Sequence, residues 1–145
     1  MKGAGMKIRM GFGFIAIVVT LALPAAGQIQ KHFSEVSNRV KAMENASDKR
    51  IILNESLQNM LKVLDIAQSS PSISKADFAG IERVRTTLQE KQDELAGLNG
   101  FNRVQDAQLN AFSEYVVQDM EQADQMITIS VVTLLLILIL VVIIL

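Results

Sequence analysis

Ser47, Arg50 and Asn54 are the residues whose types and spacing best suit a binding site in this chain. They lie three and four positions apart, so they share one face of a helix. The planar guanidinium of an arginine binds a carboxylate through two parallel hydrogen bonds, and hydroxyl and amide groups add polar contacts. These three residues therefore predict a site for a small anionic ligand.

The same polar layer has a structural interpretation. If the chain folds as a hairpin, the layer lies opposite residues 91–98, and Arg50 then pairs with Glu90, Asp93 or Glu94 or reaches water. Polar residues at core positions also fix the register of packed helices. Both interpretations predict that the layer faces the second half of the chain.

The sequence contains few residues of the types that catalysis or metal binding requires. It has no cysteine and a single histidine, His32, which excludes thiolate metal sites and thiol catalysis. The carboxylates Glu90, Asp93 and Glu94 are typical of a solvated helix face. We predict no catalytic residue, no metal site and no cofactor.

Charge argues against a nucleic-acid partner. Residues 28–125 carry 11 basic and 15 acidic side chains, a net charge of about −4. Nucleic-acid-binding domains instead present a basic patch or stripe. We therefore predict no nucleic-acid partner.

The apolar residues are concentrated at the two ends of the chain. Residues 126–145 form 20 uncharged positions, which as a helix span about 30 Å, the thickness of the hydrocarbon core of a bilayer. Residues 10–27 are also uncharged and follow Lys2, Lys7 and Arg9. The positive-inside rule predicts a cytoplasmic segment at 1–9, a first transmembrane helix at 10–27 and a second at 126–145.

The N-terminal apolar segment has a second interpretation. A basic start, an apolar stretch and the small residues Ala25 and Gly27 are also typical of a signal peptide that is cut before Gln28. We favour a retained helix, because a helical pattern begins at Ile29 with almost no linker.

Residues 28–125 have the apolar periodicity of helices throughout. Pro71 predicts a turn near 69–74, and Ser74 with Asp77 three positions later predicts a new helix start. Gly97, Asn99 and Gly100 are typical of a turn, which would split the second half into two helices. Because the heptad phase is unchanged across them, we favour one continuous second helix. The predicted fold is all-α: a membrane-anchored long antiparallel helical hairpin that dimerises into a four-helix bundle.

The start of the chain resembles a known family. Residues 7–14 (KIRMGFGF) are similar to the opening of methyl-accepting chemotaxis proteins, in which a basic cluster and a Gly-Phe pair lead the first membrane helix. The order of a helical sensor bundle and a second membrane helix is also similar, although 28–125 is shorter than the usual sensor domain. The cytoplasmic HAMP relay and the methylated signalling hairpin are not in this chain.

The resemblance implies a transmembrane chemoreceptor that senses or relays an extracytoplasmic signal through its helical bundle. It implies a bacterial inner (plasma) membrane location, with the N-terminus cytoplasmic and residues 28–125 periplasmic. Related receptors bind carboxylates with arginines on their first bundle helix, which implies such a role for Arg50. The expected partners are the lipid bilayer, a second copy of the chain and a small anionic ligand.

A function of another class is a non-enzymatic structural or accessory subunit. Its helical stalk would dock on a larger membrane protein complex, and the polar layer would then only fix the packing of the helices.

Overall fold

The regular elements are all helices in the part of the chain that the structure describes. The structure, a computed structural model, describes residues 28–71, 73–126 and 131–144. Its helices are α1 (Gln28–Ala42), α2 (Ala46–Gln68), α3 (Lys75–Ala96), a short 3-10 helix (Asp106–Gln108), α4 (Leu109–Met126) and α5 (Val131–Ile144). The all-α prediction is confirmed.

The first half of the predicted hairpin is broken into two helices. α1 ends at Ala42, and Asn45 caps the start of α2, where its extended backbone leaves the helix and its side chain accepts a hydrogen bond of 2.8 Å from the amide of Asp48. Asparagine is among the strongest N-cap residues because it pairs an amide that the helix leaves free. The prediction of one unbroken helix before the turn is therefore wrong.

The second half is broken as well. Ser74 caps α3 by accepting a hydrogen bond of 3.1 Å from the Asp77 amide, which confirms the predicted start. α3 then ends at Gly97, whose left-handed backbone (φ 76°) turns its amide back onto the carbonyl of Asp93 at 2.8 Å. The prediction of a continuous helix through the glycines is wrong.

These two breaks allow one chain to build a helical bundle by itself. α1 packs mainly on α4 and α2 mainly on α3, and the two pairs pack against each other. Ser37 on α1 and Ser113 on α4 are both buried and hydrogen-bonded at 2.8 Å. Val36 on α1 and Leu109 at the start of α4 are buried in the apolar core of this single chain.

The last helix, α5, is apolar on all sides and packs against α2. Ile137, Leu138 and Val141 are buried, and Thr133 donates a hydrogen bond of 2.7 Å to Asp77 at the start of α3. The described residues of α5, Val131–Ile144, span about 21 Å.

The membrane predictions must be corrected accordingly. None of the helices within residues 28–71, 73–126 and 131–144 is both long and apolar enough to cross a bilayer. This overturns the second transmembrane helix predicted at 126–145, and with it the inner-membrane location, the periplasmic assignment of 28–125 and the chemotaxis-receptor description that depended on them. The first transmembrane helix predicted at 10–27 lies outside the described residues.

Candidate functional site

The three residues of the predicted polar layer line one cleft. Ser47, Arg50 and Asn54 project from α2 toward the end of α3, and the cleft has a volume of about 410 Å³. Its other lining residues are Ile51, Leu95, Ala96 and Arg103. This volume falls within the range of about 300–1,000 Å³ that is common for small-molecule sites.

Arg50 holds the end of α3 and the loop that follows it. Its Nη1 donates to the carbonyl of Leu95 at 3.2 Å, and its Nη2 donates to the carbonyl of Val104 at 2.7 Å and to Oδ1 of Asp106 at 2.9 Å. A cation is stabilised at a helix C-terminus, where the carbonyls carry a partial negative charge. Arg50 therefore acts as a brace between α2, the α3 terminus and the loop.

The predicted ion-pair partners of Arg50 were the wrong ones. Its carboxylate partner is Asp106, in the short 3-10 helix, and not Glu90, Asp93 or Glu94. The prediction assumed that α3 continued past residue 97. Because the chain instead folds back there, a carboxylate from later in the sequence reaches Arg50.

Asn54 and Ser47 extend the polar wall of the cleft. Asn54 is half-buried, and its Oδ1 accepts a long hydrogen bond of 3.5 Å from Gln92 on α3. Ser47 is exposed near the start of α2, and its hydroxyl forms no hydrogen bond with the described residues. One hydroxyl is thus free to contact a ligand.

Arg103 is the lining residue that the sequence analysis missed. It is exposed, and it forms no ion pair with any part of the chain that the structure describes. A signal was present in the sequence: Arg103 is the sole basic residue between Lys91 and position 126. It was overlooked because residue 103 was placed inside a continuous helix, at a position remote from the layer.

The loop that carries Arg103 is fixed at several points. Asn99, at its tip, donates from Nδ2 to Asp93 at 2.8 Å, and the amide of Phe101 donates to the carbonyl of Leu98 at 3.1 Å. At its far end, Arg50 holds Val104. The guanidinium of Arg103 is thus presented by a loop whose backbone is held on both sides.

The charge of the cleft favours an anion. None of its seven lining residues is acidic, and two are arginines, one of which is already paired with Asp106. Ile51, Leu95 and Ala96 give the cleft an apolar wall as well. The arrangement offers hydrogen-bond donors and a positive charge, and among its lining side chains no nucleophile is paired with a base.

A second polar cluster lies between α3 and α4, away from the cleft. Lys91 is only 4% exposed and pairs with Asp119 at 2.7 Å and Glu94 at 3.2 Å, while its Nζ lies 3.6 Å from the centre of the Tyr115 ring. Because Lys91 lies on α3 and both Asp119 and Tyr115 lie on α4, the cluster joins the two helices.

Within the described residues there is no group of three His, Cys, Asp or Glu side chains that would suit a metal ion.

Comparison with protein-family models, with curated proteins and with solved structures finds no match for this chain.

Proposed function

We propose that the chain is a non-enzymatic binding module that holds a small anionic ligand in the cleft between α2 and the loop of residues 97–105. The observation that carries this proposal is the charge of Arg103 at the cleft, which no described carboxylate compensates, in a cleft that is also lined by Ser47, whose hydroxyl has no described partner. A surface arginine usually has solvent on all sides, whereas Arg103 shares a concave surface with polar and apolar groups.

In this proposal Arg103 binds the ligand, whereas the sequence analysis expected Arg50 to bind it. Arg50 already has three protein acceptors, so its role is to build the cleft. Arg103 supplies the charge-assisted hydrogen bonds to the ligand, and Ser47 and Asn54 orient it. The apolar wall of Ile51 and Leu95 accommodates the part of the ligand that carries no charge.

Thermal melts in the presence of single anions test the proposal. The wild type is melted with each member of a panel of organic acids, amino acids and inorganic phosphate, and at least one should raise its Tm. Arg103→Ala should remove that rise, since the lost interactions with the ligand are worth about 1.5–3 kcal/mol, or roughly ten- to a hundredfold in affinity. Its Tm without ligand should be unchanged, because Arg103 is exposed and pairs with no described residue.

Arg83→Ala is the matched control, because Arg83 is an exposed arginine on α3 that does not line the cleft. It should respond to the anion like the wild type. If no anion in the panel stabilises the wild type, or if both arginine variants lose the response equally, the ligand-binding proposal is wrong.

The second candidate is a structural or accessory subunit of a larger protein complex. The observation that favours it is the saturation of Arg50 by Leu95, Val104 and Asp106, which explains a polar layer without any ligand. Under this function no anion in the panel changes the Tm of the wild type, whereas the binding module requires that at least one does. The same set of melts therefore separates the two candidates.

A further inference from the structure

The backbone of Arg103 lies directly against Gly97. A Cβ atom built on Gly97 would be 2.8 Å from Cβ of Arg103, 2.9 Å from its backbone nitrogen and 3.0 Å from its Cα. Contacts of this length are below those that side chains tolerate, and two of the three atoms are backbone atoms that cannot rotate away. Gly97 thus has a steric role beyond its left-handed backbone.

Gly100, three residues later, separates the two effects. Its φ of 87° is also left-handed, yet a Cβ at Gly100 would meet nothing within 4 Å. An alanine at either position has to adopt a backbone that L residues rarely accept. Only at Gly97 would it also push against Arg103.

We propose that Gly97 is the positioning residue for Arg103: its missing side chain lets the loop close onto the end of α3, and this closure places the guanidinium at the cleft. The loop-positioning role stands on geometry alone, whereas its consequence for ligand affinity rests on the proposed function. Asn99 and Arg50 hold the two flanks of the loop, but neither occupies the point at which its two halves meet.

A distance measurement tests the positioning without any ligand. The chain has no cysteine, so spin labels can be attached at Arg103→Cys and Glu90→Cys, the latter exposed on α3. Introducing Gly97→Ala should shift or broaden the distance between the labels. Gly100→Ala should leave the distance as in the parent pair, and circular dichroism should show that both variants remain helical.

Gly97→Asn keeps the test valid if the alanine variant does not fold. Asparagine tolerates the left-handed backbone but carries a Cβ, so it isolates the contact with Arg103 from the backbone strain. It should displace the label at position 103 as Gly97→Ala does. An unchanged distance in Gly97→Asn, or an equal shift in Gly100→Ala, would overturn the positioning role.

The functional consequence is read in the same variants, without labels, using an anion that stabilises the wild type. Gly97→Asn should weaken the binding of that anion by up to about ten- to a hundredfold, the loss expected for Arg103→Ala. Gly100→Ala should leave the binding unchanged. If no anion binds the wild type, the proposed function fails while the distance change remains. If an anion binds Gly97→Asn as tightly as the wild type, the positioning of Arg103 is not needed for binding.

Discussion

Lys91 and Asp119 form an ion pair of 2.7 Å that joins α3 to α4 inside the bundle. Lys91 is almost fully buried, whereas the carboxylates of Asp119 and Glu94 are about one quarter exposed. We expect Lys91→Met to lower the free energy of unfolding by about 1–3 kcal/mol, because it leaves two partly buried carboxylates without their cation. Urea unfolding measures this.

The control for that variant is Lys62→Met, at an exposed lysine of α2 that pairs with no described residue. Burial lowers the pKa of Lys91, but the hydrogen bonds and charges of Asp119 and Glu94 outweigh it, and its pKa is raised above 10.5. The pair therefore contributes its stability fully below pH 10.5 and loses it as the pH rises through the raised pKa. If Lys91→Met and Lys62→Met unfold alike, the pair is not stabilising.

His32 should make the bundle sensitive to acid. Its Nε2 is buried without a hydrogen-bond partner among the described residues, and burial, with the charge of Arg39, lowers the pKa of the ring from 6.5 to about 4. Folding therefore favours the neutral ring, and this stability is present above pH 6.5 and is lost as the pH falls toward 4. The loss approaches about 3 kcal/mol.

Urea unfolding of the wild type and of His32→Leu at pH 7 and pH 4.5 measures this effect. The variant should keep more of its pH 7 stability at pH 4.5 than the wild type does, because leucine does not titrate. Carboxylates elsewhere titrate in both proteins and cancel in the comparison. Equal losses in the two proteins would show that His32 is not the acid-sensitive group.

Arg50 should be required for stability. Arg50→Leu leaves the carbonyls of Leu95 and Val104 and the carboxylate of Asp106 without their donor, and we expect it to lower the free energy of unfolding by about 2–3 kcal/mol. Arg103→Leu, at the exposed arginine of the same cleft, should change it by no more than about 0.5 kcal/mol. Urea unfolding of both checks this, and a more stable Arg50→Leu protein would contradict the bracing role.

The break between α1 and α2 should depend on Asn45. Asn45→Ala removes the acceptor for the Asp48 amide and should lower the free energy of unfolding by about 1 kcal/mol, with a shift in the urea midpoint. Asn102→Ala, at an exposed loop position with no hydrogen bond to the described residues, is the control and should have no effect. Equal midpoints for the two variants would mean that the cap does not hold the break.

The sequence was sufficient for the helical class, for the start of α3 at Ser74 and for the shared face of Ser47, Arg50 and Asn54. These depend on local spacing and on capping chemistry, which a few neighbouring residues determine. The placement of the three residues opposite Leu95 and Ala96 followed from the turn near Pro71.

The breaks were not predictable from periodicity. Leu95 and Leu109 are 14 positions apart, two full heptads, so the apolar phase is preserved although the chain leaves the helix between them. No proline or glycine marks the break before Asn45. The loop that follows the break at Gly97 is held by Arg50 through the carbonyl of Val104, a contact between distant parts of the sequence that a local pattern does not reveal.

The apolar end was misassigned for a related reason. The hydrophobicity of residues 131–144 is evident from the composition, but hydrophobicity alone does not distinguish a helix surrounded by protein from one surrounded by lipid. In the structure α2 covers one side of this helix, and Thr133 anchors it to Asp77.

The pairing of α1 with α4 has a consequence for the order of folding. Ser37 and Ser113 meet across 76 positions of sequence, whereas α2 and α3 are joined by a link of only six residues. Because closing a long loop loses more chain entropy than closing a short one, the α2–α3 hairpin should form early and α1 should dock late. The residues of the cleft all lie between 47 and 103. We therefore expect the cleft to form without the slow closure between the ends of the chain, and to persist when α1 detaches locally.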